Sequence, residues 1–236
     1  MRKIFLLMLF LGTGCQSFAP RPTGVSVNVD PAIELPGTQT VNDLEKKALK
    51  QANDLVAQKQ DAAACNVLGS FLAKYPERCD ARFVYAELLF KLKQEASART
   101  QFEEFLEHYH NIQVDMTRLI RVHGQLADIA QGSHDSYGEH LHTGIGLYYT
   151  VRSYKGVNIG DTKISPDALL GKAQAELTLA HDMKPEESQP SWYLYGVYRA
   201  QKQLDQAEQC LRLAHQNARR SDLEHAPPGV VATRKT

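Results

Sequence analysis

No stretch of the 236-residue sequence stays apolar for the ~18 residues that a membrane-crossing helix needs, which excludes a polytopic membrane protein. Charge of one sign is also lacking. With 27 Lys+Arg against 27 Asp+Glu there is no clustered cationic excess to neutralise phosphates, so a nucleic acid is not expected as partner. Fifteen glycines and ten prolines, without period, exclude collagen-like and low-complexity chains. Catalytic signatures are missing as well: there is no nucleophile elbow, no Walker loop, no HExxH and no dinucleotide fingerprint. Gly144-Ile145-Gly146 is a lone glycine pair inside a predicted helix and follows no strand. The carboxylate pairs Glu103-Glu104 and Glu186-Glu187 fall where exposed helix faces or turns are expected, so they read as solvated charge. The chain is therefore expected to be non-enzymatic and to carry no cofactor. What remains is an ordinary globular composition, 43% hydrophobic, sufficient for one sizeable domain.

The N-terminus has the build of an export signal. Arg2 and Lys3 precede an apolar core from Ile4 to Leu11, and the small residues Gly12, Thr13 and Gly14 lead into Cys15. The run Leu11-Gly12-Thr13-Gly14-Cys15 resembles the bacterial lipobox, in which the cysteine becomes both the lipid attachment point and the new N-terminus. The departure is Gly12, which stands where the family usually has leucine. An ordinary cut after Ala19 would put Pro20 on the leaving side of the bond, which favours lipidation at Cys15. Removing residues 1–14 leaves 25 basic and 27 acidic residues, still close to neutral. Three acyl chains would exceed the single-chain threshold of marginal membrane binding, at ~0.8 kcal/mol per buried methylene. Residues 15–41 contain Pro20, Pro22, Pro31 and Pro36 and little helical periodicity, as suits an extended tether. The short alternation Val25-Ser26-Val27-Asn28-Val29 has no strand to pair with and is read as linker. Cys65, Cys79 and Cys210 remain as small buried thiols, since Cys65 and Cys79 are expected ~15 Å apart, beyond disulfide reach.

The body of the chain repeats. Sliding it by 34 residues aligns Ala52 with Ala86, Leu55 with Leu89, Val56 with Phe90, Ala64 with Ala98, Leu68 with Phe102, Phe71 with Phe105 and Tyr75 with Tyr109. A second block repeats at the same offset: Ala173 with Ala207, Leu177 with Leu211 and Ala180 with Ala214. The two blocks are seven residues out of phase, so an insertion lies between them. Within each unit the apolar positions fall at helical spacing in two runs separated by a short polar turn, as at Gln58-Lys59-Gln60-Asp61, which predicts two amphipathic helices per unit.

This pattern resembles the tetratricopeptide repeat family. The second-helix half matches at Ala64-x3-Leu68 with Pro76, Ala98-x3-Phe102, Ala173-x3-Leu177 with Pro185, and Ala207-x3-Leu211. The first-helix half is best in Trp192-x2-Tyr195-Gly196 and His142-x2-Ile145-Gly146-x2-Tyr149. Gly196 precedes Ala207 by eleven residues where the family has twelve, which predicts a tighter turn or a shifted helix. The connector Ser153 to Pro166 exceeds the roughly two to eight residues usual between helices and splits the third unit. A helix near Thr117 to Ile129 fits neither half and bridges the two blocks. The expected fold is all-α, antiparallel helix pairs stacked as a tetratricopeptide-like solenoid over residues 42–219, with a tail at 220–236.

In such a stack the concave groove is lined by first helices. The resemblance places Asn53 and Val56, then Phe83, Glu87 and Phe90, then Trp192 and Arg199 on that lining. Trp, Phe and Arg are peptide-anchoring residues; the same aromatics also serve to pack neighbouring helices. The segment from Gly132 to His142 crowds His134, His140 and His142 with Asp135 and Glu139. On a helix His140 and His142 point apart, whereas Glu139 and His142 share a face and His134 could fold back, so His134, Glu139 and His142 form an alternative metal set. The sequence is thus read as a protein- or peptide-binding scaffold or assembly factor of a bacterial cell envelope, lipid-anchored to a membrane surface. The alternatives are a periplasmic or secreted protein, a small metal-binding protein, and a self-associating homo-oligomer.

Overall fold

Thr40 starts the first helix. Its hydroxyl accepts from the Asp43 amide at 3.3 Å and donates to the Asp43 carboxylate at 2.7 Å, so that two groups of the first turn are satisfied together. From there the computed structural model describes residues 40–108, 115–154, 157–159 and 162–218. The signal peptide 1–14, Cys15, most of the tether and the tail 220–236 lie outside the described residues. The helices are α1 Val41–Ala57, α2 Asp61–Leu72, α3 Cys79–Lys91, α4 Glu95–His108, α5 Met116–Gly132, α6 Ser136–Ser153, α7 Pro166–Met183, α8 Ser188–Ala200 and α9 Leu204–Asn217. Consecutive helices pack on one another as a tetratricopeptide-like stack.

One turn geometry closes four hairpins. Lys59, Lys93, His134 and Lys202 each take a φ near +60°, and the following amide donates back to the carbonyl five residues earlier. These bonds are Gln60 to Leu55 at 2.9 Å, Gln94 to Leu89 at 2.9 Å, Asp135 to Ala130 at 2.8 Å and Gln203 to Tyr198 at 2.9 Å. This is the helix-ending motif that usually carries glycine at the left-handed position. The turn residues are spaced by 34, 41 and 68, that is one period, one period plus seven, and two periods. The seven-residue insertion therefore falls between the α3–α4 and α5–α6 turns.

Two expectations are corrected by this frame. The helix near Thr117 to Ile129 is not an odd bridge: it is α5, the first helix of a regular hairpin with α6. The last hairpin has no tighter turn; Gly196 is instead displaced by one residue from the small-residue position held by Ala52 and Ala86. That displaced glycine still permits a close approach, because a Cβ there would lie 2.6 Å from the Tyr148 hydroxyl. The connector ahead of α7 is also more ordered than the expected loop. It holds an antiparallel pair, β1 Val157–Ile159 and β2 Thr162–Ile164, with Asn158 opposite Lys163.

Small residues sit where helices cross: Ala52, Ala64, Ala86, Ala98, Ala173 and Ala180 are fully buried. Larger side chains fill the space between these crossings, with Phe102, Phe105, Leu126, Ile145, Tyr149 and Leu177 among the most buried. Helix α6 packs against α5 on one side and α7 on the other. At the second crossing a Cβ on Gly144 would fall 2.6 Å from Leu177 Cγ, so only glycine lets the two backbones come this close.

Candidate functional site

Counting back from each turn residue puts the first helices in a common frame. The positions ten, six and three residues before it are Leu49, Asn53 and Val56 in α1; Phe83, Glu87 and Phe90 in α3; Gly124, Asp128 and Gln131 in α5; and Trp192, Gly196 and Arg199 in α8. The lining residues named from the sequence thus fall at equivalent sites. Their exposure differs. Asn53 and Arg199 are exposed, and Val56 and Phe90 are half-buried, so all four reach solvent. Arg199 donates to the Tyr195 hydroxyl at 3.1 Å, which holds its guanidinium over the outer end of α8. Lys93 Nζ lies 5.7 Å from the centre of the Phe90 ring, close enough for a cation–π contact.

The other three are taken up within the molecule. Phe83 is 6% exposed, packs on Phe105 with ring centres 5.6 Å apart, and has the Arg118 guanidinium 5.3 Å from its own ring centre. Trp192 is 2% exposed and meets His215 edge-on at 4.9 Å. These two aromatics pack helices together and do not line an open face. Half-buried Glu87 accepts from Arg121 at 3.2 Å, and Asp80 is likewise paired with Arg118. Helix α5 therefore neutralises the carboxylates that α3 offers. Sequence reasoning missed Arg118 and Arg121, because charge spacing along α5 does not show which carboxylates of α3 it will face.

The histidine segment is dispersed by the fold. His134 is the exposed left-handed turn residue between α5 and α6. Asp135 caps α6, accepting from the Gly138 amide at 2.9 Å and from Arg99 of α4 at 2.8 Å. Burial raises the Asp135 carboxyl, but these donors outweigh it and hold the group below its ordinary value. Glu139 accepts from Gln131 at 3.0 Å, and His140 Nδ1 contacts Glu176 of α7 at 2.6 Å. His142 instead turns to His123 of α5, Nδ1 to Nδ1 at 3.1 Å, with Tyr149 stacked on the His123 ring at 5.8 Å. Such a contact needs one protonated and one bare nitrogen, so the two rings cannot both be charged, and burial favours the neutral form of each. Desolvation, with the neighbouring imidazole, holds His123 well below its usual pKa. For His142 desolvation, then Arg99, lowers it to about 4, against the opposing pull of Asp135. His134, Glu139 and His142 are thus not brought together, and among the described residues no group of three or more His, Cys, Asp or Glu is placed to hold a metal ion. Cys65, Cys79 and Cys210 are free and buried, and burial pushes each thiol up, away from the thiolate that redox chemistry needs.

No family model matches the chain, and no curated protein matches it. Among solved structures it is similar to one described as MamA RS-1 ArsTM double mutant, at 15% identity and a TM-score of 0.38, covering 75% of this chain and 96% of that one. It is also similar to MamA 41-end from Desulfovibrio magneticus RS-1, at 13% identity and a TM-score of 0.34, covering 75% of this chain and 97% of that one.

Proposed function

We propose that this chain is a non-enzymatic scaffold or assembly factor of a bacterial cell envelope, which binds a protein or peptide partner and is held at a membrane by lipid on Cys15. One observation carries the binding reading: a single turn geometry sets the first helices in a common frame, so that Asn53, Val56, Phe90 and Arg199 recur at equivalent and accessible positions. Those side chains supply a hydrogen-bonding amide, two apolar contacts and a fork of guanidinium donors, the chemistry that peptide recognition uses. The strongest pKa perturbations fall on His123 and His142, which satisfy each other between helices and offer no reacting pair to a substrate.

A photo-crosslinking residue placed at Asn53 or Arg199, in the full chain expressed with its own signal, tests the binding reading. The expected result is a discrete heavier adduct from both sites and none from Asn66, which is exposed on α2. Equal labelling from all three, or none from Asn53 and Arg199, would refute it. Intact mass of the membrane-fraction protein tests the anchor. A species beginning at Cys15 with added acyl mass is expected, and an unmodified soluble chain would leave a periplasmic or secreted binding protein instead.

A further inference from the structure

The outer faces of two hairpin-closing helices are polar along their middle turns, Thr100, Glu103 and Glu107 on α4, Glu208 and Arg212 on α9, where the exposed Leu204 stands alone at the first residue. Helix α7 departs from that rule. Its exposed ridge runs in steps of four through Gly171, Ala175, Leu179 and Met183, with Leu179 44% and Met183 45% exposed. Steps of four place all four on one slanting row. A Cβ on Gly171 would meet nothing within 4 Å, so no neighbour among the described residues calls for glycine in the middle of this helix. The row runs from small to large, and the residue at its midpoint, Leu177, points the opposite way into the core at 0% exposure.

We propose that α7 is the contact of a two-fold homodimer, in which two copies pack α7 against α7 in antiparallel directions. Reversal about residue 177 lays Met183 of the partner subunit over Gly171 and Leu179 of the partner subunit against Ala175, so each large side chain meets a small one. Rows with a spacing of four align when helices cross at about −50°, the commonest packing class. Charge selects the direction. Lys172 and Asp182 flank the row, equally far from its midpoint, and neither has an ion pair among the described residues. Antiparallel copies set the lysine end of one helix beside the aspartate end of the other, and oppose the helix dipoles; a parallel pair would stack like on like. The occupant is accordingly a second copy, because the pattern is complementary to itself, as a two-fold contact requires. One helix per copy buries less than the ~1,200 Å² of stable interfaces, so the dimer is weak and dissociates on dilution. The proposal does not depend on the first-helix face.

Disulfide trapping in the full chain tests it. Gly171→Cys combined with Met183→Cys is expected to give a covalent dimer on a non-reducing gel, whereas Asn66→Cys on α2 gives none. Adding Leu179→Glu should abolish the dimer, with the helical circular dichroism unchanged since Leu179 is exposed. Lys172→Glu and Asp182→Lys should each lower the yield several-fold, and the two together should restore it. No trapped dimer, trapping indifferent to Leu179→Glu, or a double reversal no better than the single ones would each overturn the proposal. Crosslinking from Asn53 should survive Leu179→Glu, which separates this contact from the binding face.

Discussion

Acid should loosen this protein through the His123–His142 pair. His142 has a pKa of about 4 in the fold against 6.5 in the unfolded chain. The unfolded state therefore binds a proton that the folded state refuses throughout that window, and stability must rise with pH across it. The full contribution is present above about pH 6.5 and is lost progressively as the pH falls towards 4. At 1.36 kcal/mol per unit the shift corresponds to about 3 kcal/mol, and the part of His142 that reaches solvent lowers the expected loss to about 2 kcal/mol. His123 shifts in the same direction and deepens the loss. The assay is urea unfolding of the wild type and of His142→Gln at pH 7.5 and pH 4.5, since glutamine can still hydrogen-bond His123 but does not titrate. The wild type should lose about 2 kcal/mol more than the variant between the two conditions. Equal losses, or a wild type whose stability is flat over this range, would refute the buried neutral pair. Asp135 does not confuse the comparison, because its lowered pKa costs stability only at lower pH and in both proteins alike.

Three further changes have defined signs. Gly144→Ala should destabilise by about 1–3 kcal/mol in thermal unfolding, because the added Cβ would lie 2.6 Å from Leu177 Cγ and 3.2 Å from the Leu177 backbone nitrogen. Lys93→Gly should stabilise by about 1 kcal/mol, since Lys93 holds a φ of 62° that glycine adopts without strain; a loss of stability would mean that its contact with Phe90 matters more. Glu45→Ala should cost about 2 kcal/mol by chemical denaturation. This 6%-exposed carboxylate accepts from Arg78 Nε at 2.9 Å and from the Ala81 amide at 3.2 Å, so its loss leaves the start of α3 uncapped and a partly buried guanidinium unpaired.

The repeat was legible because it rests on residues whose size is dictated by backbone approach. Ala52, Ala64, Ala86 and Ala98 recur every 34 positions and are all fully buried. The helix pairs followed from their spacing alone. Less legible was which helix pairs with which: α5 carries the buried small residue Ala127, seven before its turn residue like Ala52 and Ala86, but the seven-residue insertion takes it out of the 34-residue register. The candidate face was half legible. Asn53, Val56, Phe90 and Arg199 stayed accessible, but Phe83 and Trp192 could not be sorted from them by spacing, because periodicity gives the side of a helix and not what the neighbouring helix lays over it. Arg118 over Phe83 is such a case. Proximity in sequence misled most in the histidine segment, whose decisive partner His123 lies 19 residues away on another helix.

The spacing of the turns connects these features. Two periods separate His134 from Lys202, and the midpoint, residue 168, falls inside the first turn of α7 where a hairpin turn would be due. Among the described residues α7 therefore has no hairpin partner of its own ahead of it and packs on α6, which already pairs with α5. Helix α6 must then serve two neighbours. Its buried residues Leu141, Gly144, Ile145, Tyr148 and Tyr149 leave little of it facing water. A polar ring at position 142 has to find its partner inside, and the facing helix supplies His123. On the far side of the same packing, α7 is left with an outer face that no repeat neighbour covers, which is where Leu179 and Met183 stand exposed. The acid-sensitive pair and the proposed dimer contact thus sit on α6 and α7, the two helices on either side of the irregular repeat; substitutions in α1 to α3 should affect neither, whereas Arg99 of α4, which acts on His142, should shift the first.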